Sequence, residues 1–374
     1  MHRDGYAAPT PDPERVIALY LSGHGYGHMT RACEVLAEVR RRAPDVPLAV
    51  AGSVPERLVR RAVPGPLLFR TTTCDVGLVQ RDALHIDEPA TAARCRDFEA
   101  TWEARTDAEA SFLREAGARM VVGDIPPLAF AAAARAGLPS VALGNFSWDW
   151  IYRHLSIREA ALEASADLAA DAYRQAALLL ELPFAGDLSV FTTREQVGLV
   201  ARRPRVAREE GRRRLGLDGR PAVLLSFGGL GLPTMDRAGA QESREFRWLR
   251  PADVDDRLEA LDLTYPDVVH AVDVVVTKPG YGMVTDAIAA GTRVVYTERG
   301  DFPEYPILVE GMKRHLACVH VSNANLLAGR IEDPVRRALA MPVPSAPDMA
   351  GASRAARRLL EIYRGDVARS GLGG

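Results

Sequence analysis

Four times along this chain a short run of β-branched and leucine residues empties into a glycine- or proline-bearing turn and then into a segment of helical character. The runs are 15–22 (RVIALYLS), 118–124 (ARMVVGD), 222–227 (AVLLSF) and 274–276 (VVV). A strand that is apolar at every position is buried on both faces, as in a parallel sheet covered by crossover helices. The chain is therefore α/β, and its 374 residues suffice for two such domains.

The fullest copy spans 274–310. After the valines comes Lys-Pro-Gly-Tyr-Gly, then a helix-like segment (283–290), then Gly291 and a second apolar run, 293–296. In such a βαβ unit Gly280 and Gly282 let the backbone approach a ligand, and the free N–H groups at the helix start favour an anion such as phosphate. Lys278 strengthens this reading. It is one of two lysines, with Lys313, among 47 basic residues, so a compact point charge stands at this turn in a chain otherwise committed to arginine. The run 222–227 leads into a second glycine loop, with Ser226 and Thr234 as hydroxyl donors, and the two loops could hold a diphosphate between them.

The first copy carries different chemistry. Its turn, Gly23-His24-Gly25-Tyr26-Gly27-His28, lacks the spacing of a dinucleotide fingerprint but sets two histidines at the carboxyl end of a parallel strand, where open α/β sheets place their active groups. Asp124 ends the strand 118–124 in the same way, either to meet a ligand or to cap the next helix. After the strand 140–143 comes Gly144-Asn145-Phe146-Ser147-Trp148-Asp149-Trp150, whose indoles either wall an acceptor pocket or anchor the next helix on the core. The polar loop 73–87 (TCDVGLVQRDALHID) offers Asp75, Gln80 and Asp82 to a ligand or to solvent.

Between these motifs, strands are predicted at 47–51 and 67–72, a single long helix over 91–116, helix over 155–181, extended pieces at 190–191 and 197–200, a strand at 317–321, and helices over 323–338 and 351–363. The segment 235–263 shows no clear period. The expected domains are a disordered leader (1–14), an acceptor-side domain (15–200), a charged linker (201–219) and a donor-side domain (220–374), its last helix crossing back to the first.

A net charge of −2 removes any general field for nucleic acid or anionic membrane. Cys33, Cys74, Cys95 and Cys318 stand without metal-ligand spacing, no acidic cluster suggests a cation site, and no apolar run is long enough to cross a bilayer. A reducing, cytoplasmic setting follows, and the arginine bias suggests a GC-rich bacterial genome. No cofactor or metal is expected; the oligomeric state is open, a homodimer included.

Two α/β units, a histidine-bearing glycine loop in the first and glycine loops ahead of helices in the second resemble the GT-B fold of nucleotide-sugar glycosyltransferases. SFGG, TKPGYGMVTDAIAAGTRVVY and DFPEYP look like the donor half of the group that adds N-acetylglucosamine to the lipid-linked cell-wall precursor. GHGYGHMTR, CDVGLVQRDALHID, VVGDIPP and NFSWDWIY extend the similarity, over about 15–365, to the glycosyltransferase-like N-terminal half of plant L-arabinokinases. The kinase half has no counterpart, so no sugar-kinase activity is carried over.

The resemblance implies that Gly228 and Gly229 approach the donor diphosphate, that Gly280, Tyr281, Gly282 and Thr285 bind its phosphates, and that Asp301 and Glu304 hold the sugar or ribose. It sets Gly25, Gly27, Asn145, Trp148 and Asp149 on the acceptor side. The base is expected to be His28 or His24, with Asp124 behind them. The function expected is inverting, metal-independent transfer from a nucleoside diphosphate sugar, UDP-linked in the first instance, to a small hydroxyl or amine acceptor. A nucleotide-sugar 2-epimerase and a non-catalytic nucleotide-sugar binding protein are the alternatives.

Overall fold

The computed structural model describes residues 15–24, 26–82, 84–227, 243–254 and 257–365. Its first half contains β1 (Val16–Leu21), α1 (Tyr26–Arg42), β2 (Leu48–Gly52), α2 (Glu56–Ala62), β3 (Leu68–Thr71), α3 (Glu88–Glu99), α4 (Trp102–Glu115), β4 (Ala118–Asp124), α5 (Pro127–Ala136), β5 (Ser140–Gly144), α6 (Trp148–Ser156), α7 (Leu162–Tyr173), β6 (Leu178–Glu181) and β7 (Arg194–Gln196). The second half contains α8 (Arg208–Leu215), β8 (Ala222–Ser226), β9 (Arg247–Leu249), α9 (Pro251–Val254), α10 (Tyr265–Ala271), β10 (Val274–Thr277), α11 (Tyr281–Ala290), β11 (Arg293–Tyr296), α12 (Glu304–His315), β12 (Cys318–His320), α13 (Asn323–Leu327), α14 (Glu332–Ala340) and α15 (Gly351–Arg364).

Two parallel sheets result, in the orders β3-β2-β1-β4-β5-β6-β7 and β12-β11-β10-β8-β9. Every residue of β1 is buried, and alternate side chains enter different cores: Ile17, Leu19 and Leu21 on one face, Val16, Ala18 and Tyr20 on the other. β10 repeats this, with Val274 and Val276 on one side and Val275 on the other. The strand order reverses between β1 and β4 in one sheet and between β8 and β10 in the other. At those points successive crossovers leave in opposite directions and open a crevice at the carboxyl ends, where His24, His28, Asp124 and Lys278 stand.

Some expectations are corrected. The helix over 91–116 is two helices, α3 and α4, because Thr101 folds its hydroxyl back onto the Phe98 carbonyl (3.0 Å) and takes a non-helical conformation. The helix over 155–181 is interrupted, and its last leucines form β6, buried beside β5; a short apolar run has no period that separates a buried strand from a helix. The pieces at 190–191 and 197–200 flank β7 rather than form strands. The helix over 323–338 divides into α13 and α14, with Gly329 at φ 72° between them. Of the patternless segment 235–263, residues up to 242 and residues 255–256 lie outside those described, and the others contain β9 and α9.

α15 packs along α1, burying Ala355, Ala356, Leu359 and Leu360 in the core beneath β1. From the other direction Leu84, in the loop after β3, is buried with Val223, Leu225 and Phe227 of the second sheet. No described helix is long and apolar enough to cross a membrane.

Candidate active site

Asp124 is wholly buried at the end of β4, and its partners come from α1. His28 Nδ1 lies 2.8 Å from Oδ1. Arg31, one helical turn on, donates from Nε to Oδ2 (2.8 Å) and from Nη2 to Oδ1 (2.7 Å). Residues three apart share a helix face, so α1 presents both groups to one carboxylate. Burial pushes Asp124 upward, but the charge and hydrogen bonds of Arg31, with that of His28, outweigh it and hold the carboxyl below its ordinary value. Asp124 is thus an ionised orienter. A carboxylate 2.8 Å from Nδ1 calls for a proton there, so in the neutral ring the lone pair is on Nε2, which has no hydrogen-bond partner among the described residues.

His24 is arranged the opposite way. Its Nδ1 accepts the Leu78 N–H (3.2 Å), so the ring proton sits on Nε2. Burial, aided by His28, Arg299 and Lys278, lowers the ring to about 3. It is a neutral donor, unsuited to take a proton. Trp148 packs behind it, edge-on at 5.4 Å, fully buried, stacked on Tyr152 and donating Nε1 to Asp75 (2.9 Å). The indole therefore anchors the site from within the core. Asp75, buried as well, also receives the Gly23 N–H (3.3 Å) and so holds the glycine turn. Asp149 sits half-buried in the first turn of α6 with Oδ1 unpartnered, and burial raises its carboxyl.

The residues expected on the donor side come from the second sheet. α11 begins at Tyr281 and α1 at Tyr26, and the helix starts approach so closely that a Cβ on Gly282 would lie 3.6 Å from Gly27 Cα. Two helix N-termini thus meet. Gly280 caps α11 in extended conformation, and a Cβ there would meet nothing within 4 Å. Lys278 is half-buried; burial, then the charge of Arg299, brings its amine from 10.5 to about 8 against the pull of Asp82. Arg299 lies over the Phe302 ring (4.1 Å) and donates to the Pro279 carbonyl (3.0 Å). Thr285 turns its hydroxyl back onto the Gly282 carbonyl (3.2 Å), and Ser226 pairs with Tyr265 (2.6 Å).

Asp301 and Glu304 part company. Glu304 is buried in the first turn of α12, accepts from Asn145 Nδ2 (2.7 Å) and lies 3.5 Å from Arg299. Asn145 in turn accepts from Arg31 Nη1 (2.6 Å), so one chain of contacts runs from His28 to Arg299 across the crevice. Asp301 is on the exposed rim, bonded to His154 (3.0 Å) and Arg158. In the loop after β3, Gln80 bridges Ile86, and Asp82 accepts the N–H groups of Leu84 (2.7 Å) and His85 (3.0 Å). Gly25, Gly228, Gly229 and Thr234 lie outside the described residues. The four cysteines are free thiols, and among the described residues no group of three or more His, Cys, Asp or Glu could hold a metal.

Sequence reasoning missed Arg31, Arg299 and the structural use of Asp75. Arg31 left one signal, its spacing of three from His28 in a helix. Arg299 left none, for it lies in a chain with 47 basic residues and reaches the site only through the turn after β11.

No family model matches the chain. L-arabinokinase from Arabidopsis thaliana is 32% identical over 343 residues, 87% of this chain, so the chain spans about a third of that protein's length. Among solved structures, a UDP-glucosyltransferase from Polygonum tinctorium superposes with TM-score 0.58 at 14% identity, over 98% of this chain and 96% of that one. The calicheamicin glycosyltransferase CalG4 gives 0.57 at 16%, over 96% and 100%. Arabidopsis thaliana UGT89C1 with UDP-L-rhamnose gives 0.59 at 12%, over 94% and 100%. These likenesses and the two crevice-facing parallel sheets establish the GT-B fold.

Proposed function

We propose that this GT-B chain is an inverting, metal-independent glycosyltransferase, moving a sugar from a nucleoside diphosphate sugar, UDP-linked in the first instance, to a small-molecule hydroxyl or amine. One observation carries the reading. A carboxylate-held imidazole stands beside His24, whose ring in turn feels Arg299 and the half-buried Lys278 ahead of α11.

His28 Nε2 takes the acceptor's proton as its oxygen or nitrogen attacks the anomeric carbon. The bond from that carbon to the diphosphate breaks on the opposite face, and the leaving charge falls on Lys278, Arg299 and the helix N–H groups. Direct displacement inverts the anomeric centre. Such a base is worth roughly 10²–10⁴ in rate. Asp124 is too fully engaged by Arg31 to be that base, and His24 is a neutral donor beside the phosphates.

The supporting kinship is with UDP-sugar enzymes in fold and with an L-arabinokinase over a third of its length. The test is a thermal-shift screen against UDP, GDP, dTDP, CMP and their sugar conjugates, followed by turnover assays with small alcohols, phenols and amines. A diphosphate nucleotide should stabilise the native chain, and His28→Gln should keep that shift while losing turnover. No shift with any nucleotide overturns the reading; a shift without turnover in any acceptor panel turns it into a binding protein.

A further inference from the structure

Arg31 is 3% exposed and joins four elements. From α1 it holds both oxygens of Asp124 on β4 and the Asn145 side chain after β5, and its guanidinium lies 4.9 Å over the ring of Tyr281 at the start of α11. Its Nη2 also stands 3.3 Å from His28 Nδ1. We propose that Arg31 is a positioning residue for the His28 base: it shares Asp124 with the imidazole so that the carboxylate orients the ring without charging it, and it ties the pair to the donor helix through Tyr281. The inference rests on His28 being the base proposed above.

A buried carboxylate alone beside an imidazole favours the imidazolium, and a base that is already protonated cannot accept a proton from substrate. Here the carboxylate's charge is matched by a guanidinium that reaches the same oxygen and approaches the same ring nitrogen. Among the described residues, His28 also acts on His24, which is neutral, and on Asp75, whose oxygens are engaged by Gly23 N–H and Trp148 Nε1. Phe146 lies edge-on at 5.4 Å and carries no charge. Arg31 is thus the cation placed to offset Asp124 at this ring. Its planar fork matters as much as its charge, since both carboxylate oxygens and Asn145 are held at once, which a lysine ammonium cannot do.

A purely structural Arg31 would satisfy Asp124 and leave the titration of His28 unchanged on its removal. The two cases separate by NMR titration of the full-length chain with isotope-labelled histidine, without substrate, the His28 signal being identified by its loss in His28→Gln. In Arg31→Met the ring should gain its second proton at least about one pH unit higher than in the native chain, a tenfold change in proton affinity. Arg31→Lys, which keeps the charge and loses the fork, should shift it less but measurably, and serves as the test if the methionine variant fails to fold. A His28 midpoint unchanged in whichever of these variants folds overturns the proposal. Because no substrate enters, the outcomes stay separate. A shifted midpoint in a chain without turnover sinks the transferase reading alone; turnover with an unshifted midpoint sinks the role of Arg31 alone.

Discussion

Replacing Lys278 by methionine should make the ligand-free protein more stable while weakening its hold on UDP and removing that binding's dependence on pH. Burial and the charge of Arg299 lower the Lys278 amine from 10.5 to about 8. A depression of about 2.5 units corresponds to roughly 3 kcal/mol, as an upper figure. The unfolded chain keeps this proton up to about pH 10.5 and the folded chain gives it up near 8, so between those values the unfolded state binds more protons and stability rises with pH. Below pH 8 the charged lysine therefore costs the fold up to about 3 kcal/mol, which an uncharged side chain of similar length does not. A diphosphate reverses the balance. At about 4 Å and an effective dielectric constant near 20, each unit of negative charge offers some 4 kcal/mol, enough to restore the amine to its ordinary range. Binding at pH 9 should then draw about 0.9 proton from solution, and native affinity should fall close to tenfold per pH unit above 8. A phosphate's own second ionisation, near about pH 6, lies below this window. Titration calorimetry with UDP from about pH 7 to 9, below the ionisation of the uracil ring, in buffers of different ionisation enthalpy, measures both quantities. Lys278→Met should bind roughly 10²-fold more weakly at pH 7 with a flat profile. A flat native profile, or an undiminished slope in the variant, would refute the assignment of Lys278 to the phosphates.

Three further outcomes are expected. Asp124→Asn leaves the buried Arg31 guanidinium without its counter-charge and should lose about 3–5 kcal/mol in urea unfolding. Because Asp124 is held below its unfolded value, its contribution is present above about pH 4 and lost as pH falls, and the variant should lack that share of the native acid sensitivity. Glu34, on α1, is raised to about 6 by burial, with Asp286 adding to the rise and Arg202 and Arg203 opposing it; between about pH 4.5 and 6 the folded chain binds more protons, so stability falls as pH rises. Glu34→Gln should flatten that segment of the stability profile by about 1–2 kcal/mol, and an unchanged slope would show that Glu34 is not desolvated. Gly351→Ala sets a Cβ about 2.4 Å from the Leu199 carbonyl oxygen, a backbone atom that cannot swing aside. It should destabilise the seating of α15 by about 1–3 kcal/mol, read as a lower melting temperature with faster proteolysis near residue 350.

Sequence alone determined the α/β class, the strands that are buried on both faces, and the glycine-bearing loops that follow them. These follow from short-range rules: β-branched runs favour buried strands, glycine frees a turn, and helical spacing begins where N–H groups are left open. His28, Asp124 and Lys278 could be picked out as candidates because each follows an apolar run, and in each of the two sheets the parallel topology brings the carboxyl ends to one side. Leu178–Glu181 could not, since a short leucine run is equally compatible with strand and helix until β5 lies beside it. Only the tertiary structure decided which histidine holds an accepting nitrogen, that Trp148 is a core anchor, and that Glu304 turns to Asn145 while Asp301 stays on the rim. Arg31 meets Asp124 across 93 residues and Asn145 meets Glu304 across 159. No local pattern encodes such pairings, because the charge and protonation of a buried group depend on what stands within a few ångströms in space, and that distance is set by the packing of two whole sheets.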